Sequence, residues 1–173
     1  MARFEPQDPL FEARVRASFA RQRAMALIGA SLSAVRPGEV EIGIPYREDL
    51  TQQHGFVHGG IVGMIADSAS GYAAFSLMPA DASVLTVEYK LNLLAPAEGE
   101  ALLARGRVVR AGRTLVIAEA RVSALTEGRE IEIAASLSTL MVLAGRPDRP
   151  RAANAEEVPA SSRPSQRAPL PLD

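Results

Sequence analysis

The sequence predicts an α+β domain in which one long helix lies against a mostly antiparallel sheet. Three observations carry this prediction. A run of small and apolar residues from Gly59 to Leu77 has the length and composition of a buried helix. Four strand-like segments follow it, joined by short turns at Ala111-Gly112 and at Glu127-Gly128-Arg129. No helical pattern separates the last strands, which argues against a doubly wound parallel sheet.

The elements follow in order. PLFEARVRASFARQRAMALIG predicts one amphipathic helix, because Phe11, Val15 and Phe19 recur every fourth residue and Gly29 can end it. Asp8 before Pro9 supplies a start signal. SLSAVRPGEVEIGIPY turns at Arg36-Pro37-Gly38, and Val40, Ile42 and Ile44 share one strand face. After the central helix come SVLTVEYKLNLL, stopped by Pro96, then EALLARGRVVRAG, RTLVIAEARVSALT and EIEIAASLSTLMVL. Alternation fails at Ala134-Ala135, so the register there is open. Within the helix, Gly63, Ala66, Ala69, Gly71, Ala73 and Ala74 leave little bulk, which suits close packing on the concave face of a curved sheet.

The 173 residues fit one domain, expected over 1–145, with a proline-, arginine-, alanine- and serine-rich tail over 146–173 expected to be disordered. Cysteine is absent, so disulfides, thiolate catalysis and cysteine-based zinc sites are excluded, and a cytoplasmic location is expected. A net charge of −1 with scattered basic residues gives no nucleic-acid surface. The charged N-terminal segment lacks a signal-peptide core, and Asp67 in the most apolar helix argues against membrane insertion.

The chemistry concentrates in TQQHGFVHGGIVGMIADSASG, Thr51 to Gly71. If the helix starts at His58-Gly59-Gly60, its first N–H groups lack intrahelical partners and suit a developing oxyanion. Asp67 lies about two turns further on, among small residues unlike a solvated face. A carboxylate in such a setting is a candidate general base or nucleophile. His54 and His58 are four apart, yet no third histidine or cysteine completes a metal site, and none is expected. A serine hydrolase lacks its G-x-S-x-G elbow, and the glycines match neither phosphate loop nor dinucleotide fingerprint.

Gln52, HGFVHGG from His54 to Gly60, Asp67, TVEYKLNLLAP and the turn VVRAGRTL resemble the hotdog-fold acyl-CoA thioesterases, specifically the phenylacetate-pathway (PaaI-like) subgroup. The aspartate seven residues after the second glycine of HGG makes the match fairly specific. The resemblance implies a curved antiparallel sheet wrapped around the long central helix, with an N-terminal helix before it. It also implies a homodimer with active sites at the subunit interface, and frequent pairing of dimers into homotetramers. In that pattern the Gly59 amide polarises the thioester carbonyl. Asp67, from the other subunit, is nucleophile or general base, and Thr86 helps hold the attacking water. Gln52 stands where the family often has asparagine. His58 braces the loop and the start of the helix.

Coenzyme A is part of the substrate, so no separate cofactor is expected. Arg110 and Arg113 flank Ala111-Gly112 at the position of a basic turn in the family, where arginine suits phosphate, and Gly60 adjoins the same binding region. Each arginine is equally compatible with a solvated hairpin turn. Phe56, Tyr72, Phe75 and Leu85 are candidates to line the acyl pocket, and equally ordinary core candidates. The alternative to hydrolysis is a non-catalytic acyl-CoA-binding or sensor hotdog protein.

Overall fold

The computed structural model describes residues 4–148. The N-terminal amphipathic segment forms two short helices, α1 (Phe11–Ala20) and α2 (Arg23–Leu27), rather than the one expected. The chain breaks at Gln22, which takes an extended conformation with φ −80° and ψ 91°. Val15 of α1 and Met25 of α2 are both buried, so the break lets each short helix place its own anchor in the core. Asp8 acts close to where its start signal put it, with Oδ1 accepting from Leu10 N–H at 2.9 Å.

β1 (Ser31–Arg36) and β2 (Glu39–Pro45) form the expected hairpin. Its turn residue Gly38 has φ +77°, open to glycine at no steric cost, and donates its N–H to Ser76 Oγ at 2.8 Å. The predicted face of β2 holds, since Val40, Ile42 and Ile44 are buried. Then come α3 (Gly59–Phe75), β3 (Ser83–Leu93), β4 (Ala101–Ala111), β5 (Leu115–Thr126) and β6 (Arg129–Leu143). The strands pair antiparallel in the order β1-β2-β4-β5-β6-β3. This curved six-stranded sheet wraps α3, which touches β2 through β6, and the arrangement is the hotdog fold.

Small residues make the wrap possible. Gly106 of β4 lies directly against the backbone of α3, where a Cβ would overlap the Ala69 carbonyl and stand 2.7 Å from Ser70 N. Gly63 meets β3 in the same manner but less tightly, 3.2 Å from the Tyr89 hydroxyl. The failed alternation in β6 is a bulge. Val122 pairs with Ala134 and Ser123 with Glu132, leaving Ile133 unpaired within the ladder while both Ile133 and Ala134 are buried.

A second anchor fixes the N-terminal segment to α3. Arg14 donates to the carbonyls of Phe75, Met78 and Pro79 at the C-terminal end of α3 and lies 4.3 Å over the Phe75 ring. Its Nε is 3.2 Å from Asp8 Oδ2 in a nearly buried ion pair. A cation is favoured there by the dipole of the helix. Of the segment expected as tail, residues 146–148 are described, with Asp148 paired to Arg21 at 2.5 Å, and 149–173 lie outside the described residues.

Candidate active site

The loop before α3 is tied down by its own backbone. Thr51 bridges to Val57, and Gly55 at φ +83° turns the chain between them. Gln52 N–H donates to Phe56 O at 2.9 Å, while Gln52 Oε1 accepts from His54 N–H. His58 is the N-cap of α3. Its N–H donates to Leu50 O, and its Nδ1 accepts from Gly60 N–H at 2.9 Å. His58 thus braces the first turn of the helix, and Gly60 N–H is spent on that cap.

Gly59 is different. Among the described residues its N–H meets no acceptor, as befits the first residue of a helix. A Cβ there would come within 2.9 Å of Leu93 Cδ1, so glycine keeps the amide approachable beside β3. Gly59, Gln52, Phe56, Leu93 and Pro96 line a cavity of about 160 Å³.

Asp67 faces β3, where Thr86 Oγ1 donates to its Oδ1 at 2.8 Å. The two border a cavity of about 340 Å³ together with Tyr72, Phe75 and Leu85. Burial pushes the Tyr72 phenol pKa up, opposed by the hydrogen bond it shares with Ser18. The four acyl-pocket candidates are therefore divided, because Phe56 lies with Gly59 and the other three with Asp67. Ser18 and Gln22 also line the larger cavity and were missed in the sequence. A signal existed, since Ser18 follows buried Val15 by three residues and so shares its helical face.

Gly59 and Asp67 are eight residues apart on one helix, about 12 Å along its axis. No single carbonyl group can touch both from one protomer. Arg110 and Arg113 are exposed on the β4–β5 hairpin, and Arg113 lines a separate cavity with Leu77 and Met78 at the far end of α3. His54 is exposed, and among the described residues no three histidine or carboxylate side chains converge as metal ligands.

A family profile described as Thioesterase superfamily matches residues 54–131, from the loop before α3 into β6. The crystal structure of a thioesterase family protein from Silicibacter pomeroyi matches with a TM-score of 0.77 and 53% identity, covering 78% of this chain and 99% of that one. The chain belongs to the thioesterase superfamily. Two further proteins are similar in sequence. A Halobacterium salinarum protein with a provisional esterase name is 38% identical over 100 residues, 55% of this chain and 66% of that protein. A 1,4-dihydroxy-2-naphthoyl-CoA hydrolase of Listeria monocytogenes is 24% identical over 100 residues, 58% of this chain and 81% of that protein. The chain spans 66%, 58% and 61% of the lengths of three similar proteins with provisional esterase names, in each case less than two thirds.

Proposed function

We propose that this thioesterase-superfamily chain hydrolyses an acyl-CoA to the free acid and coenzyme A. The single observation that carries the reading is the Asp67–Thr86 pair facing a cavity, with a free amide at the start of the same helix. The carbonyl oxygen of the thioester accepts from Gly59 N–H, which stabilises the oxyanion as the carbonyl carbon is attacked. Asp67 either attacks that carbon itself, giving an anhydride that water then opens, or takes a proton from the attacking water. In both routes the C–S bond breaks, the thiolate leaves with coenzyme A, and one water is consumed. With its own proton given to Asp67, the Thr86 hydroxyl is left to accept from that water, beside Gln52 from the other half of the site.

The separation of about 12 Å supports a site built from Gly59 of one subunit and Asp67 of another. Edge strand β3 supports such a dimer. It is long and unpaired on one side, and Leu85, Val87, Tyr89 and Leu93 are exposed along it. Leu115 and Leu137, exposed on other strands, favour further pairing into a tetramer. Arg110 and Arg113 serve the phosphates of coenzyme A, and Gly60 shapes the approach to them. Among the described residues no helix is long and apolar enough to cross a membrane. We place the reaction in the cytoplasm, in keeping with the cysteine-free sequence.

Complementation tests the composite site. Asp67→Asn removes the carboxylate, and Gly59→Pro removes the amide at a helix position where proline is tolerated. Each variant alone is expected to be nearly inactive. Unfolded and refolded together, they are expected to regain roughly a quarter of wild-type turnover, since half the dimers are mixed and each holds one intact site. A mixture as inactive as its components places both groups in one protomer or outside the mechanism.

A further inference from the structure

The loop that carries Gln52 to the site is a knot tied around that residue. Gln52 N–H donates to Phe56 O at 2.9 Å, and Gln52 O accepts from Gly55 N–H at 3.0 Å. Its side-chain Oε1 accepts from His54 N–H. The carboxamide is thereby turned one way round. With Oε1 held by the loop's own backbone, the N–H groups of Nε2 are what Gln52 has left to offer, and Gln52 lines the same cavity as Gly59. The aim of those donors therefore depends on where the His54 amide is held.

The base of the knot is fixed by main chain. Val57 N–H donates to Ala97 O at 2.8 Å, and His58 N–H to Leu50 O at 2.9 Å. Its tip, Gln53 to Gly55, is exposed, and the chain turns there at Gly55 with φ +83°. Among the described residues one side chain from outside the loop bonds to the tip. Tyr46 Oη donates to Gly55 O at 2.9 Å. Tyr46 stands on a rigid base, because it directly follows β2, where Pro45 pairs with Ala101 of β4, and its own N–H donates to Glu100 O at 2.9 Å. The ring is a strut from the sheet to the tip of the loop. Water could satisfy either end of this exposed bond, so its net worth for stability is small. What it fixes is position.

We infer that Tyr46 is a positioning residue for the hydrolysis. By holding the Gly55 carbonyl it keeps the neighbouring His54 amide in place, and through that amide it sets the direction in which Gln52 Nε2 points into the Gly59 cavity. Tyr46 itself lines neither the Gly59 cavity nor the Asp67 cavity, so it acts through Gln52 rather than on the substrate. The inference rests on the hydrolase reading above and adds to it a residue outside the site.

A double-mutant cycle on the full chain tests it. Tyr46→Phe keeps the ring and removes the hydroxyl. The expected result is a fall of about tenfold in kcat, with KM within about twofold of wild type and the melting temperature unchanged. Gln52→Ala removes the group being aimed. In that background, adding Tyr46→Phe is expected to lower kcat no further, because the strut has nothing left to aim. An equal loss in both backgrounds would show that Tyr46 steadies the loop in general, and it would overturn the inference, as would wild-type kcat for Tyr46→Phe. Amide-exchange NMR supplies a readout independent of turnover. Tyr46→Phe is expected to speed solvent exchange at the His54 amide and to leave Gly60, capped by His58, unchanged. If the wild type cleaves no thioester, the hydrolase reading falls and this exchange decides the inference. Acceleration at His54 without change at Gly60 supports it, and an unchanged rate at His54 or equal acceleration at both overturns it.

Discussion

Thr86 gives its hydroxyl proton to Asp67 Oδ1 at 2.8 Å across the gap between β3 and α3. The strand thereby holds one carboxylate oxygen of Asp67 beside the cavity. Asp67→Asn preserves size and removes both basicity and anionic nucleophilicity. Its expected cost is on the order of 100-fold or more in turnover. Thr86→Val loses one hydrogen bond and should cost roughly tenfold. Thiol release from a panel of acyl-CoAs measures both, and a metal chelator is expected to leave wild-type rates unchanged. Near-wild-type hydrolysis by Asp67→Asn would remove the carboxylate from the mechanism. Tight acyl-CoA binding without any turnover by the wild type would favour a sensor.

Arg14 is expected to matter for stability more than for chemistry. Arg14→Met strands Asp8 as a buried charge without its cationic partner and uncaps three carbonyls at the end of α3. Breaking one partner of such a pair costs about 3–5 kcal/mol. The Asp8→Asn/Arg14→Met double variant should recover part of that loss. Urea denaturation measures all three proteins, and a single variant as stable as wild type would show that the pair is energetically idle.

Gly106→Ala should damage the fold with no contact to any substrate. The added methyl group runs into the backbone of Ala69 and Ser70, which cannot move aside as a flexible side chain would. Overpacking against backbone places the cost at about 3 kcal/mol or above. Gly71→Ala, at a small residue of α3 itself, meets only Leu140 Cδ2 at 3.8 Å and should be nearly neutral for stability. Comparing the two melting curves checks the assignment. Equal destabilisation would contradict it.

Val87 tests the edge of the sheet. It is exposed, and it sits at the bulge between Thr86 and Glu88, outside the Asp67 cavity. In an isolated protomer Val87→Asp should change stability by less than about 0.5 kcal/mol. If β3 pairs with β3 of a second copy, two carboxylates face each other there and the dimer weakens. Sedimentation at micromolar concentration is expected to show monomer, with turnover falling in proportion. A variant that stays dimeric and active would move the interface elsewhere.

Truncation after residue 150 addresses the C-terminal segment. Its composition offers few apolar anchors, so removing 151–173 should leave both cooperative unfolding and thioester hydrolysis nearly unchanged. Asp148 and its pair with Arg21 are retained in that variant. A marked loss of activity would assign the removed segment a part in the site.

The elements of this protein were legible because their signals are local. Val40, Ile42 and Ile44 alternate, Gly38 turns the hairpin, and the small residues from Gly59 onward mark a helix that structure bounds at Phe75. The bulge at Ile133 was visible only as a broken alternation, since the pairing partner that creates it lies on β5. The break at Gln22 was not legible at all. A continuous amphipathic pattern runs through it, and only the folded chain shows Val15 and Met25 buried from two separate short helices.

By itself the sequence determined the order of the strands and the central helix, the inward face of β2, the capped helix start at His58 and a lone acid in an apolar helix. These follow from side-chain period, turn residues and caps, which act over a few positions. Only the tertiary structure decided that β3 crosses to the far edge beside β6, bringing Thr86 to Asp67. It alone put Ser18 and Gln22 on the wall of the same cavity and pressed Gly106 onto Ala69. Those contacts join residues far apart in the chain, and their energies depend on how the whole sheet curves around α3 rather than on any local pattern.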